Sequence, residues 1–208
     1  MPLTAIITSP LERCRQTAAA VAAAGQGRPA LVDVVEDDRF GECHYGDWTG
    51  QPLKRLAREP LWRVVQVHPG AARFPGPDGE SFLDMQHRAV SAIRDWNSRL
   101  GPNAAYLVCS HGDVIKSIVA DSLGMHIDML QRIQVDPASL TVIRYTPLRP
   151  FLVRMNDTGG AVDNLVPKKR DESRDTATDA SSGSEPPART ARSARREAEA
   201  AVGGGAGG

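Results

Sequence analysis

The chain has 208 residues, 24% of them charged and 41% hydrophobic, a balance that suits one globular domain plus a tail. Its 25 basic and 25 acidic residues cancel, and a pI of about 7.0 leaves no basic footprint for nucleic acid. Cys14, Cys43 and Cys109 have neither a paired metal-ligand spacing nor the number for a disulfide framework, and no apolar run approaches the roughly 18 residues of a membrane span. The N-terminus also lacks the basic, apolar and small-residue pattern of a signal peptide. A reduced, cytoplasmic protein with no membrane and no nucleic-acid partner is expected, its oligomeric state open.

Ala5-Ile6-Ile7 reads as the end of a buried strand. Ser9 then suits a helix N-cap, Pro10 the first helical position and Glu12 the acid of a capping box. Together they predict a helix from Ser9 to about Ala24 with Arg13 in its first turn. Gly25, Gly27 and Pro29 mark a turn, and Leu31 to Val35 reads as a short strand. Arg39 to Gly50 is a glycine-containing loop carrying Glu42, His44, Tyr45 and Trp48. Pro52 to about Val67 is weakly helical and interrupted by Pro60, while Pro75 and Pro77 make Ala71 to Gly79 irregular.

From about Ser81 to Leu100, Phe82, Met85, Ala89, Ile93, Trp96 and Leu100 recur at spacings of three and four, which predicts a long amphipathic helix with its stripe against a sheet. Tyr106 to Cys109 reads as a second buried strand, Asp113 to Leu123 as a second helix leaving its end, and Leu140 to Tyr145 and Phe151 to Met155 as two closing strands around Pro147 to Pro150. Strands alternating with helices argue for a largely parallel sheet covered on both faces. Beyond about Thr158 no aromatic and no isoleucine occurs, so residues 159–208 are expected to be a disordered tail behind a domain of residues 1–158. In that tail Lys168-Lys169-Arg170 reads as a solvated charge run, since Asp171 and Glu172 follow at once.

Three positions carry candidate chemistry. Arg13 lies just beyond the carboxyl end of a strand, where α/β sheets bind ligands; taken alone, it reads first as a solvated arginine on an exposed helix face. His111, in Cys109-Ser110-His111-Gly112-Asp113, stands between a buried strand and a helix N-terminus, a ready anion site, with Gly112 permitting close backbone approach. A structural histidine accounts for that position too. Glu42 precedes a glycine-containing loop and faces either the same crevice or solvent. His44 is read as a surface loop residue.

In order and context these segments resemble the histidine phosphatase superfamily, the phosphoglycerate-mutase-like clan. The likeness rests on Ser9-x-Leu11-x-Arg13-Cys14-x-x-Thr17, then Glu42 before Tyr45-Gly46-x-Trp48-x-Gly50, then Gly79-Glu80-Ser81, then Ser110-His111-Gly112. It spans roughly Leu3 to Met155, and it looks closest to the bacterial branch often labelled probable phosphomutase. The resemblance implies a three-layer α/β/α sandwich with a mostly parallel sheet. It also implies a phosphohistidine mechanism on a small phosphorylated substrate, with no metal or other cofactor. Carried over, Arg13 becomes a phosphate clamp, Glu42 the proton donor, and His111 a phosphate-binding histidine that stabilises developing charge.

The family's nucleophile is the histidine of an Arg-His-Gly motif on a strand upstream of the Ser-x-Leu-x-Arg helix, and no Arg-His-Gly occurs in these 208 residues. The expectation is therefore an N-terminally truncated form of a phosphatase or phosphomutase, lacking its first strand and its covalent route. The alternatives are a phospholigand-binding pseudoenzyme and an interaction module acting through the tail. Other classes fit less well. A cysteine-phosphatase loop from Cys109 would need arginine where Ile115 stands, the Gly-x-Ser-x-Gly elbow and the Walker glycine loop are absent, and Cys43-His44 with Cys109-x-His111 is poor zinc spacing.

Overall fold

The computed structural model describes residues 3–24 and 33–159. The four residues of β1 (Ala5–Thr8) are all buried, as a short apolar run in a central strand must be. β2 (Val34–Glu36) and β3 (Tyr106–Cys109) flank it in parallel, with Ile7 opposite Val35 on one side and Val108 on the other. Successive side chains of β1 point to opposite faces. Ile6 accordingly packs with Cys14 and Ala18 of α1 (Glu12–Ala24), whereas Ile7 shares a core with Phe82 and Met85 of α4 (Phe82–Leu100) and Val114 of α5 (Gly112–Ser122). Helices on both faces of a mostly parallel sheet make the expected three-layer α/β class.

β4 (Leu140–Arg144) and β5 (Phe151–Asp157) form a separate antiparallel pair around Pro147 to Pro150. Among the described residues, neither the outer edge of β3 nor the second edge of β4 has a strand partner. Both strands border one core, to which Tyr106, Val108, Ile143 and Tyr145 contribute as partly buried side chains.

Most predicted elements are present with small shifts at their ends. Pro60 does not merely interrupt a helix. It starts one, separating α2 (Leu53–Leu56) from α3 (Pro60–Val67) by occupying the first position, where a missing N–H costs nothing. Ser81 caps α4 through a capping box with Asp84, and Gly101 at φ +84° ends it. The stripe of α4 shares one core with Ile7 and Val108 of the sheet and also meets α5 and the turn at Asp38–Phe40. The short strand is Val34–Glu36; Leu31, Val32, the turn at Gly25 to Pro29 and the segment from Gly160 onward, including Lys168-Lys169-Arg170, lie outside the described residues. None of the described helices is long and apolar enough to cross a membrane.

The first helix departs most from expectation. It begins at Glu12, not after Ser9, and Glu12 accepts from Gln16 instead of closing a capping box. Ser9 is fully buried, and its Oγ, which accepts from the Leu11 N–H, is also held by His111. A long-range contact has claimed the hydroxyl that local logic assigned to the cap.

Candidate functional site

The parallel sheet brings the ends of β1 and β3 side by side, so the segments leaving them meet. Arg13, one residue into α1, and His111, the residue that caps α5, approach to 2.9 Å between Nη2 and Nδ1. Nε2 of His111 lies 2.8 Å from Ser9 Oγ. Arginine only donates, so Nδ1 accepts, the ring is neutral, and its hydrogen sits on Nε2 and is donated to Ser9; the tautomer follows from the partners. Burial first, then the cations Arg13 and Arg88, lower the His111 pKa to about 4.

Glu42 completes the cluster. Its Oε2 lies 3.8 Å from Arg13 Nη2 and 3.7 Å from His111 Nδ1, and its Oε1 accepts from the Cys43 N–H at 3.0 Å. Burial, reinforced by the nearby Asp113 carboxylate, raises its pKa to about 7, against the opposing pull of the Cys43 amide and Arg13. Near neutral pH Glu42 is therefore divided between acid and carboxylate, and its approach to a neutral His111 is not an ion pair. Arg13 keeps 43% of its side chain exposed, so the cluster opens to solvent on the arginine side. The arrangement supplies a forked cation, a buried imidazole beside the first-turn amides of α5, and an acid able to give up a proton at neutral pH.

All three residues singled out from sequence thus meet, while His44 is exposed and stands apart. A Cβ on Gly112 would meet no protein atom within 4 Å, so no close approach within the protein requires glycine there.

Two participants escaped sequence reasoning. Arg88, on α4, donates to the backbone carbonyls of Arg39, Gly41 and Glu42 and holds both carboxylate oxygens of Glu80, at 2.7–3.0 Å. It fixes the backbone of the segment that aims Glu42. Cys14 Sγ lies 3.5 Å from His111 Nε2, and burial pushes its thiol pKa up, so it behaves as a packing group rather than a thiolate.

The family model for the histidine phosphatase superfamily (branch 1) matches residues 1–158. The bifunctional protein Rv2228c of Mycobacterium tuberculosis is 32% identical over 159 residues, which cover 76% of this chain and 42% of that protein. The chain therefore spans less than half the length of that relative. A probable phosphoglycerate mutase GpmB of Erwinia tasmaniensis is 30% identical over 173 residues, covering 82% of this chain and 77% of that one. Among solved structures, Bacillus stearothermophilus YhfR superposes with a TM-score of 0.65 at 24% identity, covering 76% of this chain and 75% of that one. Phosphoserine phosphatase of Entamoeba histolytica, in complex with 3-phosphoglyceric acid, gives 0.65 at 22% identity over 76% and 75% of the two chains.

Proposed function

The chain belongs to the histidine phosphatase superfamily, and from that premise we propose that Arg13, Glu42 and His111 form the phosphate pocket of a phosphoryl-transfer protein acting on a small phosphomonoester. The observation that carries this reading is the convergence of an arginine, a neutral buried histidine and an acid with a pKa of about 7 within 4 Å of one another. Arg13 and His111 hold phosphoryl oxygens, and the protonated Glu42 delivers its proton to the leaving oxygen. His111 is read as a phosphate ligand and not the nucleophile, because it follows Ser110 rather than an arginine and stands in the Ser-His-Gly context of the family's second histidine. The three free thiols suit a reducing cytoplasm.

The attacking histidine is outside these 208 residues, since no Arg-His-Gly occurs among them. Among the described residues the outer edges of β3 and β4 carry no strand partner and border one core, which leaves room there for a further strand. On this reading the 208 residues by themselves bind a phospholigand without turning it over. Calorimetry with inorganic phosphate tests the reading. The 208-residue chain should bind it, and Arg13→Ala or His111→Ala should each weaken binding tenfold or more. Unchanged affinity in both variants would sink the site assignment, and phosphomonoester turnover by the unmodified chain would overturn the absent nucleophile.

A further inference from the structure

A cavity of about 310 Å³ opens beside the phosphate pocket. Its apolar walls come from Tyr45, Trp48, Trp62, Val65 and Phe74, three of them between residues 59 and 78. The ring of Phe74 is packed edge-on by Tyr45 at 4.9 Å and Trp48 at 5.5 Å, so this wall is rigid and preformed. Two residues belong to both spaces. Tyr45 donates to Asp113 Oδ2 at 2.8 Å, and Asp113 is the charge that helps raise the Glu42 pKa. The cavity therefore begins on the Glu42 flank, the side from which a leaving oxygen would take its proton.

The polar rim is electrically balanced. Asp113 Oδ1 lies 3.2 Å from Lys116 Nζ, so the cation at the cavity is already paired. Its other polar residues, Gln66 and Gln131, are uncharged amides. A leaving group bearing its own carboxylate would find no unpaired cation among the described lining residues and would lose its hydration to an aromatic wall. A flat apolar ring fits better, since a cavity of about 150 Å³ suffices for benzene.

Resting on the phosphate-pocket reading, we propose that the substrate is a phosphomonoester of an uncharged planar alcohol, of the aryl phosphate class. Its ring lies among Tyr45, Trp48, Trp62 and Phe74, and its phosphoryl group lies on Arg13 and His111. The test titrates the full chain with inorganic phosphate, phenylphosphonate, 1-naphthylphosphonate and 3-phosphoglycerate. Calorimetry reads affinity, and tryptophan fluorescence reads the surroundings of Trp48 and Trp62. The arylphosphonates should bind at least tenfold more tightly than inorganic phosphate and quench the fluorescence, whereas 3-phosphoglycerate should gain less than threefold. Trp62→Ala, which strips the wall, and Leu53→Trp, which fills the cavity, should each bring the aryl-to-phosphate ratio below threefold. An aryl ratio below threefold in the unmodified chain, or one that survives both variants, overturns the proposal while phosphate binding stands. Failure of inorganic phosphate itself to bind overturns the pocket reading and, with it, this one.

Discussion

The Nδ1 of His111 accepts from the Nη2 of Arg13 at 2.9 Å, so the cation that would clamp a phosphoryl group also keeps the imidazole uncharged. On the phosphate-pocket reading, an arriving oxyanion would replace His111 as the guanidinium's acceptor and itself accept from the ring. The imidazolium, disfavoured at a pKa of about 4, would then be favoured. Glu42, already raised to about 7, is pushed further in the same direction by the new negative charge. Binding must take up protons. Sulfate keeps its charge constant across the range and is the clean probe: its affinity should rise at least roughly tenfold from pH 8 to pH 6, and about a hundredfold where one full proton is taken up throughout. Calorimetry in two buffers of different ionisation enthalpy counts the protons, and His111→Asn should remove most of the slope.

Glu42 gives the free protein a stability signature of its own. Its folded pKa of about 7 stands above the ordinary 4.5, so folding favours the protonated form. The stabilisation is complete below pH 4.5 and is lost as the pH rises through 7. Glu42→Gln, neutral at every pH, should therefore be more stable than the parent at pH 8.5, by on the order of 2–3 kcal/mol, and indistinguishable from it near pH 4.5. His111 acts oppositely. Its folded pKa of about 4 lies below 6.5, so its contribution is present above 6.5 and is lost as the pH falls toward 4. Melting temperatures of Glu42→Gln and His111→Asn across this range separate the two.

Arg88 is the strut behind Glu42. Its guanidinium satisfies three backbone carbonyls and one carboxylate at once, a geometry that depends on the planar fork. Arg88→Lys keeps the charge but cannot serve all four partners, leaving partly buried acceptors unpaired. A loss of about 2–4 kcal/mol in urea unfolding is expected, with phosphate affinity falling as the segment carrying Glu42 loosens. Full stability in the lysine variant would show that the carbonyls have other donors.

The elements that sequence reasoning located well are those whose signals are local. Tyr106–Cys109 matches its apolar run to the residue, and α4 starts where Ser81 and Asp84 can cap each other. Arg13, Glu42 and His111 converge because each stands at or near a strand end on one edge of the sheet, which a strand-and-helix reading can place. Ser9 marks where that logic stops: its hydroxyl accepts the Leu11 N–H as a cap would, yet it is also held by a histidine 102 residues away. Arg88 was invisible for the same reason. Nothing in its own helix distinguishes it from Arg94 or Arg99, and its partners are carbonyls positioned only by the finished fold. The aromatic cavity likewise draws its apolar walls from three separate segments, at Tyr45 and Trp48, at Trp62 and Val65, and at Phe74, so composition announced the rings but not the space between them.

Gly46 lies where two of those segments touch. Its φ is +53°, and a Cβ there would overlap the carbonyl oxygen of Pro75, to which the Asp47 N–H donates at 2.8 Å. Gly50, four residues on, shares the left-handed backbone at φ +74° but has no atom within 4 Å of a Cβ. The two alanine variants therefore separate conformation from contact. Gly50→Ala should cost only the backbone penalty of about 1–2 kcal/mol. Gly46→Ala adds a backbone clash that no rotamer relieves, and its total should exceed about 3 kcal/mol. The clash also pushes the segment holding Tyr45 and Trp48 away from Phe74, so Gly46→Ala should weaken arylphosphonate binding at temperatures where the variant is still folded, and Gly50→Ala should not. Equal stability losses in the two would mean that Pro75 moves aside freely and that the wall of the cavity is softer than its packing indicates.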